Sequence, residues 1–76
     1  MYTDLAEYII KSLVDNPDSV SVSETVRPNS VLIEVSVDSD DMGRIIGKRG
    51  RVINAIRTVM EVQAGRQDKH ISVEIL

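Results

Sequence analysis

The segment that determines how this chain folds is Ile45-Ile46-Gly47-Lys48-Arg49-Gly50-Arg51-Val52-Ile53, in which two glycines enclose two basic residues. The run from Arg44 to Arg57 contains five Lys and Arg residues and no Asp or Glu, whereas the chain has nine basic and twelve acidic residues. The rest of the chain therefore has four basic against twelve acidic residues, a net charge of −8. A positive island in an acidic protein predicts a local contact with phosphate.

Composition excludes several classes of protein. The 76 residues predict one small domain over residues 1–76, with 42% apolar residues to fill a thin core. The chain has no Cys, which excludes a disulfide scaffold and a thiolate metal site and fits a reducing compartment. Acidic residues early in the chain argue against a secretory signal, and no apolar run is long enough to span a bilayer. We expect a cytoplasmic protein with no membrane contact.

The first half of the chain predicts one helix followed by two strands. Apolar residues at helical spacing predict a helix with Thr3 as its N-cap, ending before Pro17. Alternation over Val20–Val26 predicts a strand, and Glu24 interrupts its apolar face, which favours an edge position. Alternation continues over Val31–Val37, which predicts a second strand.

The second half predicts two helices and a last strand. Ser39 is the predicted cap of a short helix that stops at Gly47, and a longer helix starts at about Gly50 with Gly65 as its C′ residue. The predicted inner side of the longer helix consists of Val52, Ile56, Val59 and Met60. Alternation over 70–76 predicts the third strand. The order α-β-β-α-α-β predicts an α+β fold, in which three helices cover one face of a three-stranded sheet.

The glycine loop has a physical interpretation of its own. Two helices meet across only Lys48 and Arg49, so the glycines at both ends are expected to adopt unusual φ and ψ values. The loop opens the long helix, whose first N–H groups lack partners and favour an anion. Together with Lys48, Arg49 and Arg51, these groups predict a clamp on a sugar-phosphate backbone.

Apolar residues beside the loop predict a place for bases. Ile46 and Ile53 are apolar next to an exposed loop, and Gly43 leaves a bare patch one turn before Gly47. These three residues are predicted to line a narrow groove for unstacked bases, which requires a single-stranded ligand. For Ile46 and Ile53, a place in the core is an equal alternative.

The segment Met42–Arg51, followed by Ala55-Ile56-Arg57, resembles the helix–GXXG–helix signature of KH domains. The element order resembles the type II, bacterial arrangement. A chain that consists of one such domain is similar to the small bacterial single-KH RNA-binding proteins. The resemblance covers the whole chain in topology, while its specific residues lie in this one segment.

This resemblance implies roles for individual residues. The GXXG loop at 47–50 would hold the backbone of about four nucleotides, and the last strand would form the far wall of the groove. The loop at 27–30 corresponds to the variable loop and is short. The complete predicted RNA-binding set is Gly43, Arg44, Ile46, Gly47, Lys48, Arg49, Gly50, Arg51, Ile53, Asn54, Arg57, Ile71, Ser72 and Val73.

Other interpretations were weighed for single residues. Ile45 is expected in the core, while Arg44 and Arg57 either contact RNA or belong to a solvated helix face. His70, the only histidine, is expected at a surface or strand edge.

The sequence offers no catalytic or metal constellation. Asp38, Asp40 and Asp41 are expected to be helix-start residues rather than metal ligands. The Gly43 to Lys48 segment lacks the glycine spacing and the Ser/Thr of a Walker A loop, and no catalytic constellation is recognisable. No metal and no cofactor are therefore predicted.

The predicted function is binding of single-stranded RNA without catalysis, as a post-transcriptional regulator or RNA chaperone. The alternative is a protein-interaction module that forms a homodimer, or a heterodimer with another KH-containing protein. The two functions are compatible. An accessory factor of the ribosome or of RNA polymerase is not distinguished from an RNA-binding protein by this sequence.

Overall fold

A computed structural model describes residues 2–66 and 68–76 and has the predicted element order. The helices and strands are α1 (Tyr2–Leu13), β1 (Ser21–Val26), β2 (Ser30–Ser36), α2 (Met42–Ile46), α3 (Arg51–Gly65) and β3 (His70–Ile75). Single 3₁₀ turns at Pro17–Ser19, Ser39–Asp41 and Lys48–Gly50 join them. None of the described helices is long and apolar enough to cross a membrane.

The sheet has β2 at its centre, with the strand order β1-β2-β3. β1 pairs with β2 in antiparallel register, with Val22 opposite Val35. β3 pairs with β2 in parallel register, with Val73 opposite Ile33. A parallel pair needs a crossover connection, which α2 and α3 supply. β1 is therefore an edge strand, as predicted, and β3 is the other edge.

The core lies between the helices and one face of the sheet. Alternation along β2 places Val31, Ile33 and Val35 inside, each at most 2% exposed. The complete buried apolar set is Tyr2, Ala6, Ile10, Val31, Ile33, Val35, Ile45, Ile53, Ile56, Met60, Ala64 and Val73. A fully buried Val, Ile or Met side chain contributes about 1.5–3 kcal/mol to stability. The apolar residues that recur along the helices and strands therefore stabilise the fold.

A buried carboxylate joins the end of α1 to the start of α2. Asp41 is 1% exposed and accepts hydrogen bonds from the main-chain N–H groups of Asp15 and Asn16, each at 3.1 Å. The Asn16 side-chain amide donates a third bond, also at 3.1 Å. Burial acts to raise the pKa of Asp41, but these bonds and the nearby Arg44 charge hold the pKa below its ordinary value of 3.8. The polar contact fixes α2, and with it the loop that follows.

The first helix begins earlier than predicted. α1 starts at Tyr2, so Thr3 lies inside the helix and the predicted cap at Thr3 is wrong. The Thr3 hydroxyl instead donates to Glu24 Oε1 at 3.3 Å, which gives this inward-facing carboxylate of β1 a partner. The Thr3 hydroxyl therefore links α1 to β1 instead of capping the helix.

The cap at the next helix start is one residue earlier than predicted. Asp38, not Ser39, is the cap: its Oδ1 accepts from the N–H of Asp40 at 2.9 Å. A 3₁₀ turn at Ser39–Asp41 then precedes α2. Asp and Ser are almost equally favoured as N-caps, so residue type alone does not show which of two adjacent residues is the cap.

Two predictions for α3 are also wrong. Gly65 is the last helical residue and does not have a positive φ, so it is not the predicted C′ residue. Among the described residues that follow the helix, Asp68 has a positive φ of 55°. Val59, predicted on the inner side, is 46% exposed. The inner stripe of α3 consists of Ile53, Ile56, Met60 and Ala64.

Candidate nucleic-acid interface

Gly47 is at a position where only glycine fits. Its φ of 76° and ψ of 177° lie where side chains are rarely tolerated. A Cβ at this position would lie 2.6 Å from Val52 Cγ2 and 2.9 Å from the Val52 nitrogen. The Gly47 N–H donates to the Gly43 carbonyl at 2.9 Å, which ends α2. The loop thus packs directly onto the first turn of α3.

The second glycine is required for a different reason. Gly50 has φ 75° and ψ 17°, in the left-handed region, but a Cβ there would meet only Asn54 Nδ2 at 3.6 Å and Ile53 Cγ2 at 3.9 Å. Arg49 before it is also left-handed, with φ 56° and ψ 29°. A non-glycine residue in this region costs roughly 1 kcal/mol, so the loop stores strain at Arg49.

The cations of the loop are exposed. Lys48, Arg49 and Arg51 project to solvent and form no ion pair with any described residue. α3 begins immediately after Gly50, and no side chain caps its first N–H groups. Three free cations and the start of a 15-residue helix therefore converge at one place, which favours an anion.

Arg44 forms an exposed ion pair with a residue just after α1. Its Nη1 donates to Asp15 Oδ1 at 3.2 Å and to the Leu13 carbonyl at 3.5 Å. Arg44 thus lies on a solvated face, and its contact with RNA stays a prediction. Gly43 beside it leaves the expected bare patch, because nothing lies within 4 Å of an added Cβ.

The three isoleucines near the loop have different environments. Ile45 is 0% exposed and belongs to the core, as predicted. Ile46 is 39% exposed and stands at the surface beside the loop, where a base can reach it. Ile53 is only 6% exposed, so its core alternative is the correct one and little of it borders a groove.

Arg57 bridges α3 and the edge strand β3. Its Nε and Nη2 donate to the Val73 carbonyl at 3.2 and 3.0 Å. Its Nη1 donates to Asn54 Oδ1 at 3.0 Å, and the amide nitrogen of Asn54 would lie 3.6 Å from a Cβ added at Gly50. The predicted site residues Gly50, Asn54, Arg57 and Val73 therefore form one connected line from the loop to the strand.

The predicted far wall is only partly as expected. The His70 N–H donates to the Asn29 carbonyl and the Leu76 N–H to the Val35 carbonyl, so the even-numbered groups face β2 and the main chain of Ile71 and Val73 faces the free edge. Ser72 is next to Leu32 on the open face of the sheet. Its side chain therefore points away from the groove and its main-chain N–H and C=O face β2, so the edge-facing groups of the wall belong to Ile71 and Val73.

The sequence did not predict a second surface on the other flank of α3. A cleft of about 310 Å³ lies between α1 and α3. Its lining residues are almost all apolar: Ile9, Leu13, Arg51, Val52, Ala55, Ile56 and Val59. The available signal was the excess of apolar residues in α3, where Val52, Val59 and Val62 extend beyond the width of one buried stripe.

One solved structure has the same fold. It is that of Era in complex with MgGDPNP and nucleotides 1506–1542 of 16S ribosomal RNA, and it matches with a TM-score of 0.62 over 99% of this chain and 30% of that chain. The two sequences are 22% identical, so this likeness concerns the fold alone.

Sequence comparison identifies the family. Proteins named RNA-binding protein KhpA from Clostridium perfringens and Clostridium acetobutylicum are 45% and 49% identical to this chain over 73 and 72 residues. These alignments cover 96% and 95% of this chain, and 97% and 96% of the two relatives. The family model for the KhpA/KhpB KH domain matches residues 3–75. The α+β architecture, with a three-stranded mixed sheet and three helices, is that of a type II KH domain, and the chain belongs to the KhpA/KhpB KH-domain family.

Proposed function

We propose that this protein binds single-stranded RNA at the GXXG loop and the groove beside it, without catalysing a reaction. The observation that supports this most is the exposure of Lys48, Arg49 and Arg51, free of ion pairs, around a glycine turn that opens α3. The relatives from the two Clostridium species are named RNA-binding proteins, in agreement with this proposal.

The mechanism follows from the loop and its neighbours. Main-chain N–H groups at the start of α3 and the three cations hold phosphates, while exposed Ile46 and the bare surface at Gly43 receive unstacked bases. Bases must leave a duplex stack to enter such a groove, so the ligand is single-stranded. The protein would act in the cytoplasm as a post-transcriptional regulator or RNA chaperone.

A double charge reversal at the loop tests this function. Asp is tolerated in left-handed backbone, so Lys48→Asp/Arg49→Asp changes the charge with little change in fold. We expect the affinity for a labelled single-stranded oligonucleotide to fall at least about tenfold, because charge-assisted bonds to phosphate are lost. The matched control is Arg66→Asp/Lys69→Asp, the same charge change beyond the other end of α3. Unchanged binding by the loop variant would disprove the clamp.

Salt dependence gives a second measure of the same contact. With three or four phosphates neutralised, the slope of log K against log salt is expected to be about −2 to −3 for a single strand. A slope near zero would exclude a phosphate contact. A much steeper slope would require a footprint larger than one groove.

A second candidate function is self-association through the cleft between α1 and α3. Leu13 and Val59 are 37% and 46% exposed there, and Val62, three residues beyond Val59 on the same side of the helix, is 62% exposed. An apolar surface of this kind favours a protein partner over RNA, which needs positive charge. We propose a second copy, or another KH-containing protein, as its occupant. A sedimentation coefficient that rises with protein concentration in the absence of RNA would support it.

A further inference from the structure

Arg57 is an exposed cation whose position is fixed by three hydrogen bonds. Two of them go to the Val73 carbonyl, at 3.2 and 3.0 Å, and one goes to Asn54 Oδ1 at 3.0 Å. These bonds hold the plane of the guanidinium in one orientation, which a planar hydrogen-bonding ligand requires. We propose that Arg57 is a specificity-determining residue, which reads a base with two adjacent hydrogen-bond acceptors, namely guanine or cytosine. This inference rests on the proposed RNA binding.

The unused donors of the guanidinium define the chemistry of the ligand. A guanidinium has five N–H groups in one plane, and the three bonds use one N–H each on Nε, Nη1 and Nη2. One N–H therefore remains on Nη1 and one on Nη2. Two coplanar donors of this kind match two neighbouring acceptors on a planar group, as in the pairing of arginine with guanine O6 and N7.

The neighbours of Arg57 favour a base over a phosphate. The cleft that Arg57 borders is also lined by Glu61, four residues further along α3. A phosphate bound to the free N–H groups would lie near this carboxylate, and like charges in one cleft repel each other. A neutral base edge has no such penalty. The phosphate contacts therefore belong to the loop cations, and the edge-strand end of the groove is left for a base.

The same groups discriminate among the four bases. Guanine has adjacent acceptors at O6 and N7 and cytosine at O2 and N3, whereas adenine and uracil place a donor beside each acceptor on these edges. The Val73 carbonyl, the acceptor that would receive such a donor, is already occupied by Arg57. At Arg57 itself the base therefore meets two donors and no free acceptor, which favours guanine and cytosine over adenine and uracil at this position.

The position of Arg57 fits a strand that is held at the loop. Arg57 lies seven residues after Gly50, about 10 Å along α3. Asn54 stands between them, with its oxygen bonded to Arg57 and its nitrogen beside Gly50. A strand whose phosphates are held at the loop therefore runs along this flank and brings a base to the guanidinium.

The test uses short uridine-rich RNA oligonucleotides with one variable nucleotide, moved along the strand. For the parent protein we expect guanine or cytosine at one position to bind about 5- to 100-fold more tightly than adenine or uracil. Arg57→Lys keeps the charge but loses the planar fork, and should reduce this ratio to about one while the salt slope stays unchanged. An oligonucleotide with 7-deazaguanine separates the two bases, because only a guanine contact needs N7.

Two further variants keep the test decisive. Asn54→Ala removes the hydrogen bond from Arg57 Nη1 and leaves the two bonds to Val73. It should lower the ratio of affinities between the preferred and the other bases, even if Arg57→Lys proves unstable. Arg66→Lys, at an exposed position beyond α3, is the matched control and should leave the ratio as in the parent.

The outcomes distinguish this inference from the function on which it rests. The inference would be overturned if Arg57→Lys or Arg57→Ala lost the same affinity for all four bases. A slope of log K against log salt that is shallower by about 0.7 in Arg57→Ala would then show that Arg57 contacts a phosphate. Loop-dependent binding with no base preference at any position would also overturn the inference, and would leave RNA binding intact. Absence of binding by the parent protein would overturn both.

Discussion

The two flanks of α3 differ in chemistry, although they belong to one 15-residue helix. The flank that faces β3 presents Asn54 and Arg57, which are joined by hydrogen bonds to each other and to the Val73 carbonyl. The flank that faces α1 presents Val52 and Val59 to a cleft in which Arg51 is the one residue of the lining that is not apolar. The polar flank has fixed donors, which suit recognition of a base, whereas the apolar flank suits a protein surface. The surfaces proposed for RNA and for a protein partner therefore lie on opposite flanks of one helix.

The glycine loop is the point at which these flanks meet. An added Cβ at Gly47 would strike Val52 on the apolar flank, whereas one at Gly50 would lie beside Asn54 on the polar flank. Substitution of Gly47 and substitution of Gly50 should therefore destabilise the fold by different amounts, although both glycines belong to the GXXG motif. This asymmetry gives the largest expected effect.

Gly47→Ala is expected to destabilise the fold by about 2–4 kcal/mol, because left-handed strain adds to the overlap with Val52. Gly50→Ala, the matched control, should cost only about 1 kcal/mol, since its methyl group has room. Urea unfolding of both variants measures the difference. Equal losses for the two variants would mean that the loop does not pack onto Val52 in solution.

Val59→Lys tests the apolar flank. A charge in the α1–α3 cleft should weaken self-association more than tenfold, because a desolvated apolar contact is replaced by a buried charge. Thr58→Lys, one residue away on the exposed polar flank, is the control. Sedimentation velocity over a range of concentrations measures association, and loop-dependent RNA binding should persist in both variants. Association that is indifferent to Val59→Lys would place the partner surface elsewhere.

Acid should loosen the α1 end of the apolar flank through Asp41. The pKa of Asp41 is held below 3.8, so its stabilising contribution is complete above that pH and is lost as the pH falls through the lowered folded value. Its partners Asp15 and Asn16 directly follow α1, where Leu13 lines the apolar cleft. The Arg57 bonds go to a carbonyl and an amide, which do not titrate in this range.

Unfolding midpoints and amide NMR shifts between about pH 6 and pH 2 measure this effect. We expect the N–H resonances of Asp15 and Asn16 to shift as Asp41 is protonated, because both groups donate to its carboxylate. Asp41→Asn should be less stable than the parent at neutral pH and should lose this part of the pH dependence, whereas Asp18→Asn, at an exposed position, should resemble the parent. The same acid-induced shifts of the Asp15 and Asn16 N–H groups in Asp41→Asn would show that Asp41 is not their acceptor in solution.

Most of the fold was predictable because it depends on local periodicity. Alternation identified β2 and its buried Val31, Ile33 and Val35, and an interrupted apolar face identified β1 as an edge. The GXXG segment located the turn between α2 and α3 because its glycines are needed for positive φ. These features require no knowledge of which elements lie side by side.

The parts that were not predictable depend on contacts between distant elements. The bond from Arg57 to Val73 joins residues 16 apart and exists only because β3 lies beside α3. The exposure of Val59 was missed because α3 has apolar residues over more than half of its circumference, and periodicity does not say which of them α1 covers. Side-chain pairs across elements therefore decide which residues form the site.

Gly43→Ala gives the smallest expected effect on the fold and separates stability from recognition. Gly43 is helical and has no atom within 4 Å of an added Cβ, so alanine should stabilise the protein by about 0.5–1 kcal/mol through its higher helix propensity. If the bare surface of α2 receives a base, the added methyl group should nevertheless weaken RNA binding severalfold. Urea unfolding and oligonucleotide titration of one variant measure the two effects, and Gly65→Ala, which also has open space, is the control. A stabilised Gly43→Ala protein with unchanged affinity would remove Gly43 from the groove and leave the polar flank of α3 as the base-binding surface.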